Sequence, residues 1–195
     1  MTPPETARTD ALAQGHALNA AKLYDDAVRA LDAAVACDPA SAAAFTARGF
    51  AYNGKKQYAR ALEDLDRAIQ IDPGRADAFN NRGYAFNGLG DRDSAIAALT
   101  QAIRLDPGLA DAFNGRGFAW MAKGEPSRAI ADLDHAIRLD PGFASAFHNR
   151  GRAWLAAGQP ARAIADFDEA IRLAPDYTAA MAARDAARGY GQSSA

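Results

Sequence analysis

The chain has 195 residues, with 22 Lys plus Arg against 24 Asp plus Glu and a formal net charge of -2, and the two signs are interspersed rather than blocked. That balance supplies no bulk attraction to nucleic acid or to an anionic membrane surface. No run approaches the ~20 apolar residues of a membrane-spanning helix, and the single cysteine, Cys37, excludes an internal disulfide and lies too far in sequence from any His pair to suggest a zinc ligand set.

In chain order, the opening residues MTPPETARTD carry two prolines and two acids where a secretory signal would place a basic end and an apolar run. Residues 1–7 are therefore expected to be disordered and the protein cytoplasmic, or periplasmic if a leader has been removed. From residue 8 the chain is periodic. Pro39, Pro73, Pro107, Pro141 and Pro175 are each 34 residues from the next, and the first four follow an aspartate (Asp38, Asp72, Asp106, Asp140). A fixed period of this length signals a stacked repeat. With this proline as the thirty-second position, the units are 8–41, 42–75, 76–109, 110–143 and 144–177.

Each unit opens with a predicted helix whose fourth and eleventh columns are mostly aromatic (Phe45 and Tyr52, Phe79 and Phe86, Phe113 and Trp120, Phe147 and Trp154) and whose eighth is always glycine (Gly15, Gly49, Gly83, Gly117, Gly151). These spacings of four and three define one helical face, expected to be buried. A mid-helix glycine costs about 1 kcal/mol relative to alanine. Close approach of two helix backbones, with the glycine against the alanine of column twenty (Ala27, Ala61, Ala95, Ala129, Ala163), is the expected reason.

The second predicted helix carries a stripe such as Ala61, Leu65, Ala68 and Ala163, Phe167, Ala170. Pro126 and Pro160 mark where it begins, since proline is favoured in a first turn. Asp-Pro-Gly marks its end in the middle units. Such a hairpin is too small to bury its own apolar face and needs stacked neighbours. The first unit, with Ala11 and Leu18 in the aromatic columns, and residues 178–190, a further helix with Asp185 and Arg188 at core-equivalent columns, are expected to be caps, followed by a disordered tail at 191–195.

The 34-residue period, with glycine in column eight, alanine in columns twenty and twenty-seven and proline in column thirty-two, resembles the tetratricopeptide repeat family over about residues 8–190. The resemblance implies an all-α fold: a right-handed superhelical solenoid of helix-turn-helix tetratricopeptide repeats. Two columns depart from the family pattern: Phe stands at column four in place of the usual Trp, and Arg48, Arg82, Arg116 and Arg150 occupy column seven, where Leu is commoner. The arginines invite two readings, a row that binds anions or a repeated ion pair with Asp64, Asp132 and Asp166 of column twenty-three, with Ala98 leaving the third unit without that partner.

If columns four, eight and eleven face the core, columns two, five, nine and twelve form a second stripe, which in the family lines the concave groove. Column nine reads His16, Phe50, Tyr84, Phe118 and Arg152. Aromatic rings beside solvent serve as contact anchors, or else pack on neighbouring repeats. Asparagines cluster nearby, Asn19, Asn53 and Asn87 in column twelve, Asn80 and Asn114 in column five, Asn81 and Asn149 in column six. An amide can both donate to and accept from a peptide bond. The candidate peptide-binding residues are thus Phe50, Asn53, Asn80, Asn81, Tyr84, Asn87, Asn114, Phe118, Met121, His148, Asn149 and Arg152.

Column five contains no lysine, so the lysine-based clamp by which some members of the family hold chaperone tails is not encoded. The histidines His16, His135 and His148 fall in different columns without a second ligand one turn on, and Cys37 takes a column of Ile and Leu as a small buried apolar residue. No H-E-x-x-H, G-x-S-x-G or G-x-x-x-x-G-K-[ST] motif occurs, and Asn53-Gly54-Lys55-Lys56 imitates only the tail of a phosphate loop. Neither catalysis nor a metal or cofactor is expected, and Asp77 and Asp111 in column two argue against nucleic acid. The expected partner is a protein or peptide held by a monomer. Assembly with a larger complex or with a second copy, through the groove or the C-terminal helix, is the alternative.

Overall fold

In the computed structural model, which describes the backbone of residues 5–192 and the side-chain surroundings of residues 10–189, the chain forms eleven α-helices, with no strand among the described residues. They are α1 (Glu5–Ala20), α2 (Tyr24–Cys37), α3 (Ala42–Gly54), α4 (Tyr58–Ile71), α5 (Ala76–Leu89), α6 (Arg92–Leu105), α7 (Ala110–Ala122), α8 (Pro126–Leu139), α9 (Ala144–Ala156), α10 (Pro160–Leu173) and α11 (Thr178–Gln192). The fold is an all-α helical-repeat solenoid whose units are helical hairpins. Two compact bodies divide between Asp106 and Pro107, α1 to α6 in the first and α7 to α11 in the second. Helix α1 begins at Glu5 and α11 reaches Gln192, so both intrude on stretches expected to be disordered; residues 1–4 and 193–195 lie outside the described residues.

Local sequence explains the hairpins. Each first helix ends with column fifteen in the left-handed region, occupied by Gly90, Gly124 and Gly158 but by Lys22 and Lys56 (φ 58° each) in the first two units. In the second unit the Gln57 N–H donates to the Tyr52 carbonyl and the Lys56 N–H to that of Asn53, both at 2.9 Å. These bonds satisfy carbonyls that the helix end leaves unpaired. Pro126 and Pro160 open α8 and α10. At the far end, Asp72 and Asp140 accept the N–H of Gly74 and Gly142 at 3.0 and 2.8 Å, which explains the Asp-Pro-Gly signature.

Within each body the first helices of adjacent units touch (α1 with α3, α3 with α5, α7 with α9, α9 with α11), whereas the second helices are not in contact with one another among the described residues. The inner face of each body is therefore built by the first helices.

The core departs from expectation in two ways. Glycine at column eight makes room chiefly for the large side chain of column twenty-four, not for an alanine. A Cβ on Gly83 would lie 2.4 Å from Leu99, on Gly15 2.5 Å from Leu31, and on Gly151 2.6 Å from Phe167. The carbonyl of Ala61 or Ala129 comes second, at 3.3 and 3.2 Å from a Cβ on Gly49 and Gly117. The aromatic columns, expected to be the buried face, are mostly half-buried, Tyr52 and Phe113 excepted. Full burial falls to small residues of columns three and ten, Ala44, Ala51, Ala78 and Ala85 in the first body and Ala146, Ala153, Ala180 and Ala187 in the second. Alanine there lets stacked helices approach closely, and the larger rings flank the seam. Arg128 and Arg162 cover Trp120 and Trp154, each 4.7 Å from the ring centre, with the geometry of a cation over an aromatic face.

The arginines of column seven are structural. Arg48 forks onto Asp64 with two bonds of 2.7 Å, Arg116 onto Asp132 with two of 2.8 Å, and Arg150 onto Asp166 at 2.8 and 2.6 Å. The same guanidinium also reaches the preceding unit, Arg48 to Asp32, Arg82 to Asp66, Arg150 to Asp134. Arg184 repeats the pattern on Asp168 from the C-terminal cap. Arg48 and Arg150 thus bracket both within a hairpin and between hairpins. Cys37 is half-buried rather than enclosed.

Candidate functional site

Column nine is exposed where expected in the first body: Phe50 on α3 is 41% exposed and Tyr84 on α5 is 57% exposed. Phe50 borders a cleft of about 320 Å³ whose other polar lining is His16, Asn19, Thr46, Asp77 and Asn81. Thr46 turns its hydroxyl inward to the Ala42 carbonyl at 2.8 Å, and Asp77 is held by Arg75 at 2.6 Å. The side-chain amides of Asn80 and Asn81 make no hydrogen bond among the described residues and remain available to a ligand.

Column twelve has a different task. Asn19 donates its Nδ2 to the Ala47 carbonyl and Asn53 to the Asn81 carbonyl, both at 2.8 Å, from side chains that are buried, as Asn87 is too. Asn53 and Asn87 are thus not groove residues. Asn19 and Asn53 tie a first helix to the main chain of the next one, a use for an amide that needs no ligand.

In the second body Asn149 donates to the Asn114 side chain at 2.9 Å, so these two candidates hold each other. Phe118 and Met121 are half-buried and Arg152 is exposed. His148 is only 8% exposed, with its ring centre 5.1 Å from that of Tyr177 and 5.7 Å from that of Phe167. Burial, helped by the charge of Arg152, pushes its pKa below the ordinary histidine value. His148 is therefore a neutral packing residue rather than part of the inner surface.

Sequence reasoning missed Tyr24 and Tyr58, at the start of α2 and α4. Each phenol ring lies on a glycine of the following unit, where a Cβ on Gly54 would meet Tyr24 at 2.4 Å and one on Gly88 would meet Tyr58 at 2.3 Å. The signal was present in the columns: tyrosine at column seventeen occurs only where the next unit has glycine at column thirteen. Among the described residues no group of three or more His, Cys, Asp or Glu is gathered to hold a metal ion, and no helix is long and apolar enough to cross a membrane.

A family model described as tetratricopeptide repeat matches residues 80–142 and 121–178, and one described as TPR repeat matches residues 51–90. No curated protein sequence matches the chain. Solved structures do. TTC0263, a thermophilic TPR protein of Thermus thermophilus, is 21% identical with a TM-score of 0.79, covering 92% of this chain and 98% of its own. The MamA protein is 26% identical with a TM-score of 0.67 over 86% and 91%. YrrB, described as a TPR protein with an unusual peptide-binding site, is 24% identical with a TM-score of 0.66 over 88% of each chain.

Proposed function

Because the chain belongs to the tetratricopeptide repeat family, we propose that it is a protein-interaction scaffold that holds a segment of another protein on the inner faces made by its first helices. The observation that carries this reading is the exposure of Phe50 and Tyr84 on adjacent inner helices, with Phe50 beside a cleft edged by the unengaged amide of Asn81. Side chains of this size stay in water at a cost in apolar exposure of roughly 25 cal/mol per Å², and a partner that covers them recovers it. Asn80 and Asn81 then grip the main chain of the partner. Phe118, Met121 and Arg152, with the Asn114–Asn149 pair, offer a second surface on the other body. YrrB, of the same fold, has a peptide-binding site by its description. The chemistry proposed is recognition, and no residue is assigned a catalytic task.

The test is capture from native lysate by the parent protein beside a Phe50→Ala, Tyr84→Ala, Phe118→Ala variant shown by circular dichroism to be folded. Proteins held by the parent and lost by the variant support the inner faces as the site. Equal capture by both moves it to the second helices or to α11.

A further inference from the structure

On the first body the exposed rings of Phe50 and Tyr84 and the half-buried rings of Tyr24 and Tyr58 lie along a stepped ledge. Tyr24 meets Phe50 edge to face, 6.3 Å between ring centres at 65°, and one unit later Tyr58 and Tyr84 occupy the equivalent columns. Gly54 and Gly88 are the seats on which Tyr24 and Tyr58 rest, since any side chain there would displace the rings.

Three properties of the ledge select a ligand. It exposes the aromatic side chains of Phe50 and Tyr84, and among the described residues the hydroxyls of Tyr24, Tyr58 and Tyr84 form no hydrogen bond, so it offers donors. Two of the charged pairs that flank it are neutralised internally, Lys55 by Asp25 and Asp77 by Arg75. Its repeat is that of adjacent packed helices, ~8–10 Å. A left-handed polyproline helix rises ~3.1 Å per residue with three residues per turn, hence ~9 Å per turn. Its prolines lack an N–H and leave their carbonyls free to accept, and aromatic-lined grooves exploit this preformed helix.

We infer that the ledge of Tyr24, Phe50, Tyr58 and Tyr84 binds a proline-rich segment in polyproline conformation, with successive turns set against Phe50 and Tyr84. This rests on the scaffold reading and gives the class of partner for its first body. The test is fluorescence anisotropy of a fluorescein-labelled decaproline against a labelled Gly-Ser decamer, with the full chain. Decaproline is expected to bind at least tenfold tighter than Gly-Ser. The preference is expected to fall about tenfold in Tyr84→Ala and in Gly88→Ala, which unseats Tyr58 without removing a ring, and to persist in Leu139→Ala on the other body. Equal binding of the two peptides, or full decaproline affinity in Tyr84→Ala, overturns the inference. So does a dimer in sedimentation that Tyr84→Ala dissociates, because the ledge is then a contact between copies. If lysate capture is lost in the triple variant while decaproline does not bind, the scaffold reading stands and only this one falls.

Discussion

The first body sets Phe50 and Tyr84 into solvent on column nine, whereas the second sets Phe118 half-buried and Arg152 exposed on the same column, beside a buried His148. Their hairpins differ too: lysines hold two left-handed turn positions in the first body, glycines hold both in the second, and proline replaces tyrosine at the start of the following helix. Yet Gly at column eight, Leu or Phe at column twenty-four and Ala at columns twenty and twenty-seven are common to both. The contrast teaches that positions packed between the two helices of one hairpin are fixed by volume, while inner-face positions, which meet solvent or a ligand, vary unit by unit.

The largest effect is expected from breaking what the bodies share. Gly83→Leu places a branched side chain where even a Cβ stands 2.4 Å from Leu99. Overpacking usually costs ~1–3 kcal/mol, and with so little room the loss here is expected to be about 3 kcal/mol in chemical denaturation followed by circular dichroism. Both tryptophans, Trp120 and Trp154, are in the second body, so their fluorescence follows that body while the tyrosines of α2 to α5 report the first. Unchanged stability in Gly83→Leu refutes the account of the glycine column.

A smaller effect sharpens the contrast in the turns. Lys56 holds a φ of 58°, a region that costs a residue with a Cβ ~1–2 kcal/mol and costs glycine nothing steric. Lys56→Gly is expected to stabilise by about 0.5–1 kcal/mol after the extra freedom of glycine in the unfolded chain is subtracted, measured by urea denaturation. A destabilised variant means that the Lys56 side chain contributes a contact worth more than the strain.

The smallest effect is confined to the second body and to acid. His148 has a folded pKa below its unfolded value, so the folded state binds fewer protons near that range. Its contribution to stability is complete above about pH 6.5, the unfolded value, and is lost as pH falls through that value towards the lowered one. Denaturation followed by tryptophan fluorescence should weaken over this window in the parent and lose that component in His148→Phe. A parent profile identical to that of His148→Phe rules out the burial of a neutral ring.

The family was legible because period and column identity are properties of sequence alone: a helix-to-helix volume constraint, repeated every 34 residues, leaves the same residues in the same phase. The pairing of Arg48, Arg116 and Arg150 with the aspartates of column twenty-three could also be read, since it lies within one hairpin at a constant separation of 16 residues. Contacts between hairpins were not legible. Whether an asparagine faces a groove or ties two helices, whether His148 is outside or under Tyr177, and that Tyr24 rests on Gly54 all depend on the angle at which one hairpin stacks on the next. A modest rotation of a helix about its axis exchanges a solvent-facing column for a buried one, and side-chain periodicity cannot resolve that. The amino-acid sequence thus determined the repeat, its hairpins and its family, because these follow from local spacing and volume; only the tertiary structure decided which inner-column residues are surface, because burial there is set by the neighbouring unit.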